Sequence, residues 1–412
     1  MMKSSQQKLR VLFVAPYFAP AWGYGGPPRF MFDVARGLVQ RGHGVTVLTT
    51  DALDETSRVG SRYDEIEGIR VHYFPNLSNW LCWNQKIFLP LGFRRAVRQH
   101  VAASDIVHLS DFRTLQNAIT YRVALRHGVP YLLSAFGQLP RAGRIKGPLK
   151  YLYDLLYGRE MLHRASAVLA QTANEIEAYR RFGIDDSRIL LLPLAIDTAE
   201  FDPLPPRGKF RARYGIGQEA LLFLFLGRIH RYKGLDLLLQ GFAALAQEHD
   251  TAHLAIVGRD DGHAAEVQRQ IERLGLRPRV TMTGPIYGPE RIAAYHDADV
   301  FTITPVYAEE TSLAALEACA AGTPVIVTRQ ASIPWLEDYR AGFAINADAE
   351  ELAGALREIL GRDEMRADMG RRAKQMIEEQ FSLAKIVARV EEAYLAILAA
   401  TYKDIAVQVS KR

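Results

Sequence analysis

The sequence predicts an α/β protein built from two doubly wound, parallel-sheet domains that face one another across a cleft. Three observations carry this expectation. Short apolar runs of strand length alternate with amphipathic helical stretches along most of the chain. The series restarts after a proline-rich segment near the middle. The length of 412 residues also exceeds what one hydrophobic core usually fills.

Taken in order, residues 11–15 (VLFVA) form an apolar run stopped by Pro16, followed by a Gly/Pro-rich loop and a helical pattern over 30–41. The run 45–49 after an Arg-Gly-His-Gly turn, then 106–109 and 131–134, repeat the strand signal between helical stretches. Strands alternating with helices imply right-handed crossovers and a parallel sheet. Pro203, Pro205 and Pro206 disfavour regular structure, so the domain boundary is expected there, with domains at 1–202 and 203–385. Residues 221–226 (LLFLFL), 252–257, 280–282, 300–304 and 324–328 read as buried strands of the second domain, separated by helices such as 235–247. A final segment, 386–412, carries apolar residues at helical spacing over 386–402 and is expected to be a packing helix with a loose tail. Open α/β sheets bind ligands beyond the carboxyl ends of their strands, so chemistry is expected at those ends.

Composition narrows the function classes. Apolar residues at 49% and charged residues at 24% are ordinary for a globular protein, which excludes extensive disorder. The only two cysteines, Cys82 and Cys319, lie far apart and outside any metal-ligand spacing, so neither a disulfide framework nor a zinc site is indicated. A reducing cytoplasm fits this usage. No apolar run approaches the roughly 20 residues that span a bilayer, and residues 1–9 are polar rather than signal-like. The net charge of +5 is modest but uneven: no Asp or Glu occurs over 68–104 or over 112–153, while Arg94, Arg95, Arg98, Arg126, Arg141, Arg144, Lys146 and Lys150 do. An anionic partner for the first domain follows, with phospholipid head groups or a lipid diphosphate as candidates beside nucleic acid. Aromatic residues from Trp80 to Phe93 among those arginines are either core or a membrane-surface stripe.

Two constellations can carry chemistry. In the first, an apolar strand runs through Pro305 into an acidic loop with Glu309 and Glu310, then Thr311, Ser312, Leu313 and a helix containing Glu317, then a Gly-Thr-Pro turn into another strand. Glu309 falls in a loop at the sheet's carboxyl edge and Glu317 in the early turns of the helix, so two carboxylates can point into one site. The alternative is that the acidic pair complements the helix N-terminus and Glu317 is solvated. The apolar company of Glu317, with Leu316, Ala318, Cys319 and Ala320 around it, weighs against solvation. In the second, Gly227-Arg228 and Lys233-Gly234 occupy the loop between a buried strand and a helix. Two fixed cations beside helix amide groups make a diphosphate site.

With these residues in place the chain resembles the large retaining glycosyltransferase family 4. The glutamate pair matches Glu309 and Glu317, the Gly-Arg and Lys-Gly segment matches Gly227-Arg228 and Lys233-Gly234, and a Gly-Gly loop after the first strand matches Gly25-Gly26. Thr283-Gly284-Pro285, Ala298-Asp299-Val300 and the segment Ile256 to Gly262 match as well, so the resemblance covers nearly the whole chain.

This resemblance implies the GT-B fold of two Rossmann-like domains and transfer of a hexose from a UDP- or GDP-linked sugar, with retention, to a glycan or lipid-diphosphate-linked acceptor in surface polysaccharide biosynthesis. No metal or other cofactor and no nucleic acid is implied. Arg228 and Lys233 would hold the diphosphate, and Glu317 the ribose hydroxyls. Glu309 and the backbone from Glu310 through Thr311 and Ser312 to Leu313 would orient the donor sugar. Gly25 and Gly26 would admit phosphate, and Gly258 with Ile286 would line the base pocket. Two departures stand out: Phe136 occupies the turn where the family commonly has a histidine, and Pro193-Leu194-Ala195 replaces Pro-Asn-Gly before Asp197. His108 and Asp111 lie after a strand near the expected cleft and are either acceptor-side groups or structural ones. Asp297-Ala298-Asp299 is read as a helix-end feature, not a metal site. A nucleotide-sugar epimerase or hydrolase, or a catalytically weak sugar-nucleotide-binding protein, remain alternatives. The protein is expected in the cytoplasm, peripherally on the inner face of the plasma membrane.

Overall fold

The computed structural model of the chain describes residues 8–140, 146–307, 311–360 and 362–410. The chain divides into two compact units: the first runs to Ala195 and takes up the chain again from Leu383, and the second is Ile196–Ser382. The division thus falls inside the segment Pro193–Asp197 rather than at 202/203. Residues from 383 onward are not a separate piece. Their helix, Leu383–Ser410, buries Ile386, Val387, Val390, Tyr394 and Leu398 in the core of the first unit. Phe201, just before the prolines, is buried in the second unit, where Asp197 accepts from the Ala199 amide and starts a short turn of helix.

The first unit is an eight-stranded sheet: β1 (Arg10–Val14), β2 (Gly44–Thr50), β3 (Tyr63–Ile66), β4 (Ile69–Phe74), β5 (Ile106–Ser110), β6 (Tyr131–Ser134), β7 (Ala167–Ala170) and β8 (Ile189–Leu191). The order is β3-β4-β2-β1-β5-β6-β7-β8, parallel throughout except for the β3–β4 hairpin. The central strands are apolar on both faces because helices cover both sides of a parallel sheet. The chain reverses direction across the sheet between β1 and β5, which makes that edge the switch point. The helix Gly26–Gln40 is pinned to the C-terminal helix so closely that a side chain at Gly37 would meet Val387 Cγ2 at 2.5 Å. Next to it, Glu391 is almost fully buried and accepts hydrogen bonds from Arg41 Nε at 2.7 Å and His43 Nε2 at 2.8 Å.

The second unit is a six-stranded, wholly parallel sheet: β9 (Leu221–Leu226), β10 (Ala252–Val257), β11 (Val280–Gly284), β12 (Val300–Ile303), β13 (Val325–Thr328) and β14 (Gly342–Ile345). Its order, β11-β10-β9-β12-β13-β14, puts the switch point between β9 and β12. Asp297 and Asp299 tie this unit's helices to its sheet. Buried Asp297 accepts from the amides of Gly208, Phe210 and Arg211 at 2.6, 2.7 and 3.1 Å, which starts the helix Lys209–Tyr214. Asp299 accepts from Arg211 Nη2 at 2.7 Å and the Leu222 amide at 2.8 Å. Both carboxylates are spent on structure. Among the described residues no helix is long and apolar enough to cross a membrane.

Candidate active site

The second unit assembles its site from loops at the carboxyl ends of β9, β10 and β12. After β9 the backbone continues to pair with the loop after β10: the Ile229 amide donates to Arg259 O at 2.9 Å and the Asp261 amide to Ile229 O at 3.1 Å. This places Asp261 against Arg228, whose Nη1 lies 2.5 Å from its carboxylate. The pair is open to solvent, with Arg228 more than half exposed. A short turn, Arg231–Lys233, is capped by His230, whose ring accepts from the Tyr232 amide at 3.2 Å. The chain then enters the helix Leu235–Glu248 through Gly234, at φ +70°, with no side chain capping the first amides. The loop that carries Arg228 and Lys233 therefore leads into an uncapped helix N-terminus, which carries partial positive charge.

Close backbone approach holds this arrangement. A Cβ at Gly234 would lie 1.7 Å from Thr304 O, and one at Gly258 would lie 1.7 Å from Gly227 O. Only glycine fits at either position. Thr304 Oγ1 also donates to Gly234 O at 2.8 Å, and the Val306 amide to Tyr232 O at 3.2 Å. The loop after β12, which leads to the acidic pair, is thus tied to the loop that carries Lys233. Exposed Tyr232 and Tyr307 stack edge-on at 4.8 Å across the junction.

Glu309 and Glu310 themselves lie outside the described residues. Thr311 and Ser312 are buried, and Leu313 begins an eight-residue helix without a side-chain cap. The Ser312 amide is directed to Ala331 O at 3.3 Å, so it is committed inside the protein. Glu317 sits in that helix with its side chain 12% exposed, which excludes the solvated reading. Its carboxylate accepts from Tyr295 OH at 2.9 Å and faces Arg291 at 3.3 Å, and Arg291 also binds Glu200 at 2.7 Å. Ile286 is buried just beyond β11, on the same edge as Gly258, whose amide donates to Gly284 O at 3.0 Å. Asp261, Arg291 and Tyr295 were not singled out in the sequence. Asp261 stands inside the matched segment Ile256 to Gly262, but nothing in its spacing tells which cation it meets.

In the first unit, Gly25 (φ +104°) and Gly26 open the helix Gly26–Gln40 with two prolines in its first turn and no side-chain cap. A Cβ on either glycine would meet nothing within 4 Å, so the space before these amides is open. The acceptor-side candidates come out differently. His108 is fully buried, with Nδ1 2.8 Å from Tyr394 OH and Nε2 2.8 Å from Ser134 Oγ. Burial lowers its pKa to about 3, so the ring is neutral and structural. Both ring nitrogens are engaged inside the fold. Asp111 is also fully buried, at φ +66°, and accepts from Tyr17 OH at 2.8 Å, from Ser110 and from Gln138. Burial pushes its pKa up to about 6 against the pull of those hydrogen bonds. It shapes the loop after β5 and does not reach solvent.

Phe136 adopts φ +48° and turns its ring edge onto Phe30, with ring centres 5.7 Å apart. The turn is held by Glu175, a buried carboxylate that accepts from the Gly137 amide at 2.9 Å and the Gln171 amide at 2.8 Å. The tryptophan segment is mixed: Cys82, Phe88 and Phe93 are buried and Lys86 lies over the rings of Tyr24 and Trp83, while Ile87 and Leu91 are exposed. Trp80 alone of the aromatics in 80–93 is strongly exposed. Among the described residues no group of three or more His, Cys, Asp or Glu is close enough together to hold a metal ion.

The model of glycosyl transferases group 1 matches residues 206–376, which include all the second-unit site residues, and that of the glycosyl transferase 4-like domain matches 25–195. The chain belongs to the family-4 glycosyltransferases. It is 26% identical over 401 residues to the D-inositol 3-phosphate glycosyltransferase of Geodermatophilus obscurus, covering 92% of this chain and 88% of that one. In fold it is similar to Anabaena HepE solved with UDP, at TM-score 0.74 and 17% identity over 95% of this chain and 100% of that one. HepE has also been solved with UDP-glucose, at TM-score 0.68 and 18% identity, covering 94% and 100%. WaaG, a glycosyltransferase involved in lipopolysaccharide biosynthesis, superposes at TM-score 0.64 and 20% identity over 93% of this chain and 99% of that one. The fold is that of the GT-B glycosyltransferases.

Proposed function

We propose that this glycosyltransferase moves a hexose from a UDP- or GDP-linked sugar to a glycan or lipid-linked acceptor, with retention of anomeric configuration, in the building of a surface polysaccharide. The observation that carries the reading is the switch point of the second unit, where the loop bearing Arg228 and Lys233 runs into the uncapped N-terminus of the helix Leu235–Glu248. As the sugar's anomeric carbon–oxygen bond breaks, its electron pair goes to the diphosphate. The two cations and the helix amides face that growing charge, while the acceptor hydroxyl forms the new bond and gives up its proton. In this reading no metal takes part, because Arg228 and Lys233 supply the positive charge.

Glu317, oriented by Tyr295 and Arg291, would accept the ribose hydroxyls with its remaining lone pairs, and Gly258 and Ile286 would border the base. Glu309, with backbone from Glu310 to Leu313, would orient the sugar, and Gly25 and Gly26 would admit phosphate without steric hindrance. The UDP-containing HepE structures and the role printed for WaaG support this donor and acceptor class. A phosphorylated polyol acceptor is the second reading, favoured by the inositol phosphate glycosyltransferases among the relatives. The acid-free basic stretches of the first unit support peripheral attachment to the cytoplasmic face of the plasma membrane.

A thermal-shift panel of UDP- and GDP-sugars tests the donor assignment. A ligand present at about 100 times its Kd adds about 2.7 kcal/mol to stability, and the expected shift persists in EDTA. Stabilisation by none of the nucleotide sugars, or only with a divalent ion added back, would contradict the reading.

A further inference from the structure

The first unit carries a face that neither the donor site nor the sheet core explains. The helix Lys146–Tyr153 continues through a widened turn, Asp154–Gly158, into Arg159–Arg164. One side of it is locked down. Asp154, almost fully buried, binds Arg113 through two parallel contacts of 2.9 and 2.8 Å. Tyr153 OH donates to Thr114 O at 2.8 Å, and a Cβ on Gly158 would meet Phe112 Cζ at 2.9 Å. The other side projects Leu149, Leu152, Leu155 and Leu156, each 49 to 60% exposed, with Tyr151 beside them. The wide turn brings two successive leucines outward together.

Next to Tyr157, which follows this stripe, lies a pocket of about 370 Å³ lined by Arg94, Arg98, Arg122 and Arg126 over a floor that includes Ile119 and Val123. Arg122 joins the two features: its guanidinium lies 4.6 Å from the centre of the Tyr157 ring and reaches Leu156 O at 3.5 Å. Among the described residues Arg94, Arg98 and Arg126 have no ion-pair partner, and the nearby Glu160 is held by Tyr121 OH at 2.9 Å. A rigid helix that exposes leucines beside four clustered arginines matches the two layers of an anionic bilayer surface: acyl boundary for the leucines, lipid phosphates for the arginines. We infer that this face, and not the tryptophan segment, docks the enzyme on anionic membrane, with a lipid phosphate seated in the arginine pocket. The inference rests on the peripheral-membrane reading above and names the surface that performs it.

Co-sedimentation of the full chain with phosphatidylcholine vesicles, with and without phosphatidylglycerol, tests it. Wild type is expected to pellet with the anionic vesicles only, in a salt-sensitive manner. Arg94→Gln with Arg126→Gln should weaken vesicle affinity by about fivefold for each arginine. Leu152→Ser with Leu155→Ser should weaken it by about tenfold or more, with the melting temperature unchanged in both double variants. Wild-type binding that both double variants retain overturns the surface assignment while leaving membrane attachment standing. Failure of wild type to pellet with anionic vesicles overturns both. A wild-type dimer that the leucine changes dissociate, without vesicle binding, would assign the face to a second copy instead.

Discussion

Arg228→Ala is expected to lower transfer by roughly 30- to 1000-fold, the equivalent of about 2 to 4 kcal/mol of transition-state stabilisation, while leaving the melting temperature nearly unchanged. The side chain is more than half exposed and among the described residues it pairs with Asp261, so removing it deletes a surface pair worth at most about 1 kcal/mol. In the proposed mechanism it also removes a cation from the loop before the helix Leu235–Glu248, where the diphosphate would gain charge as the glycosyl bond breaks. Initial rates with saturating donor, compared with donor affinity from titration, separate the two contributions. A variant that turns over like wild type takes Arg228 out of the mechanism. For Glu309→Gln a loss of the same order is expected, on the strength of the motif.

The second large effect concerns stability rather than chemistry. Gly234→Ala forces a Cβ to within 1.7 Å of Thr304 O in a residue at φ +70°, so the loops after β9 and β12 must part. The left-handed conformation costs about 1 to 2 kcal/mol for alanine, and overpacking adds about 1 to 3. A fall in melting temperature of roughly 10 °C is expected for a unit of this size. Gly275→Ala provides the control, since its φ is +67° but no atom lies within 4 Å of the added Cβ. Equal, small shifts for the two variants, measured by calorimetry, would show that the contact with Thr304 does not constrain the loop.

Much of the second unit was legible because its strands are uniform apolar runs bounded by turns. The runs 221–226 and 252–257 coincide with β9 and β10, and the Gly227 to Gly234 loop falls at the carboxyl end where it was placed. The first unit was read less completely. β3 is YDEI, an antiparallel edge strand with charged outward residues, and only the Glu67-Gly68 reversal, at φ +49° and +79°, distinguishes its hairpin with β4. β7, β8 and β14 escape the reading although β7 and β14 are as long as β6, because periodicity over three or four residues does not separate strand from helix. The boundary was displaced toward the prolines because their local effect is strong, whereas the destination of the C-terminal helix depends on long-range packing against residues such as Gly37.

Site residues divide along the same line. Glycines whose backbone must touch another backbone, such as Gly234 and Gly258, announce themselves by type and position. His108 and Asp111 do not announce their burial, because a strand end toward solvent and one closed over by Tyr17, Gln138 and Tyr394 have the same local sequence. The exposed leucines of residues 149–156 were hidden for the opposite reason: a helix with apolar residues at that spacing reads as a core element until its packed side is seen to be Tyr153, Asp154 and Gly158.

The central claim is retaining transfer from a nucleotide sugar, and the anomeric configuration of the product tests it most directly. With the donor that gives the largest thermal shift and an excess of acceptor, proton NMR of the first-formed product should show the anomeric coupling of the donor sugar, with one nucleoside diphosphate released per bond formed. An inverted anomer, or nucleotide release that does not depend on the acceptor, would contradict the account.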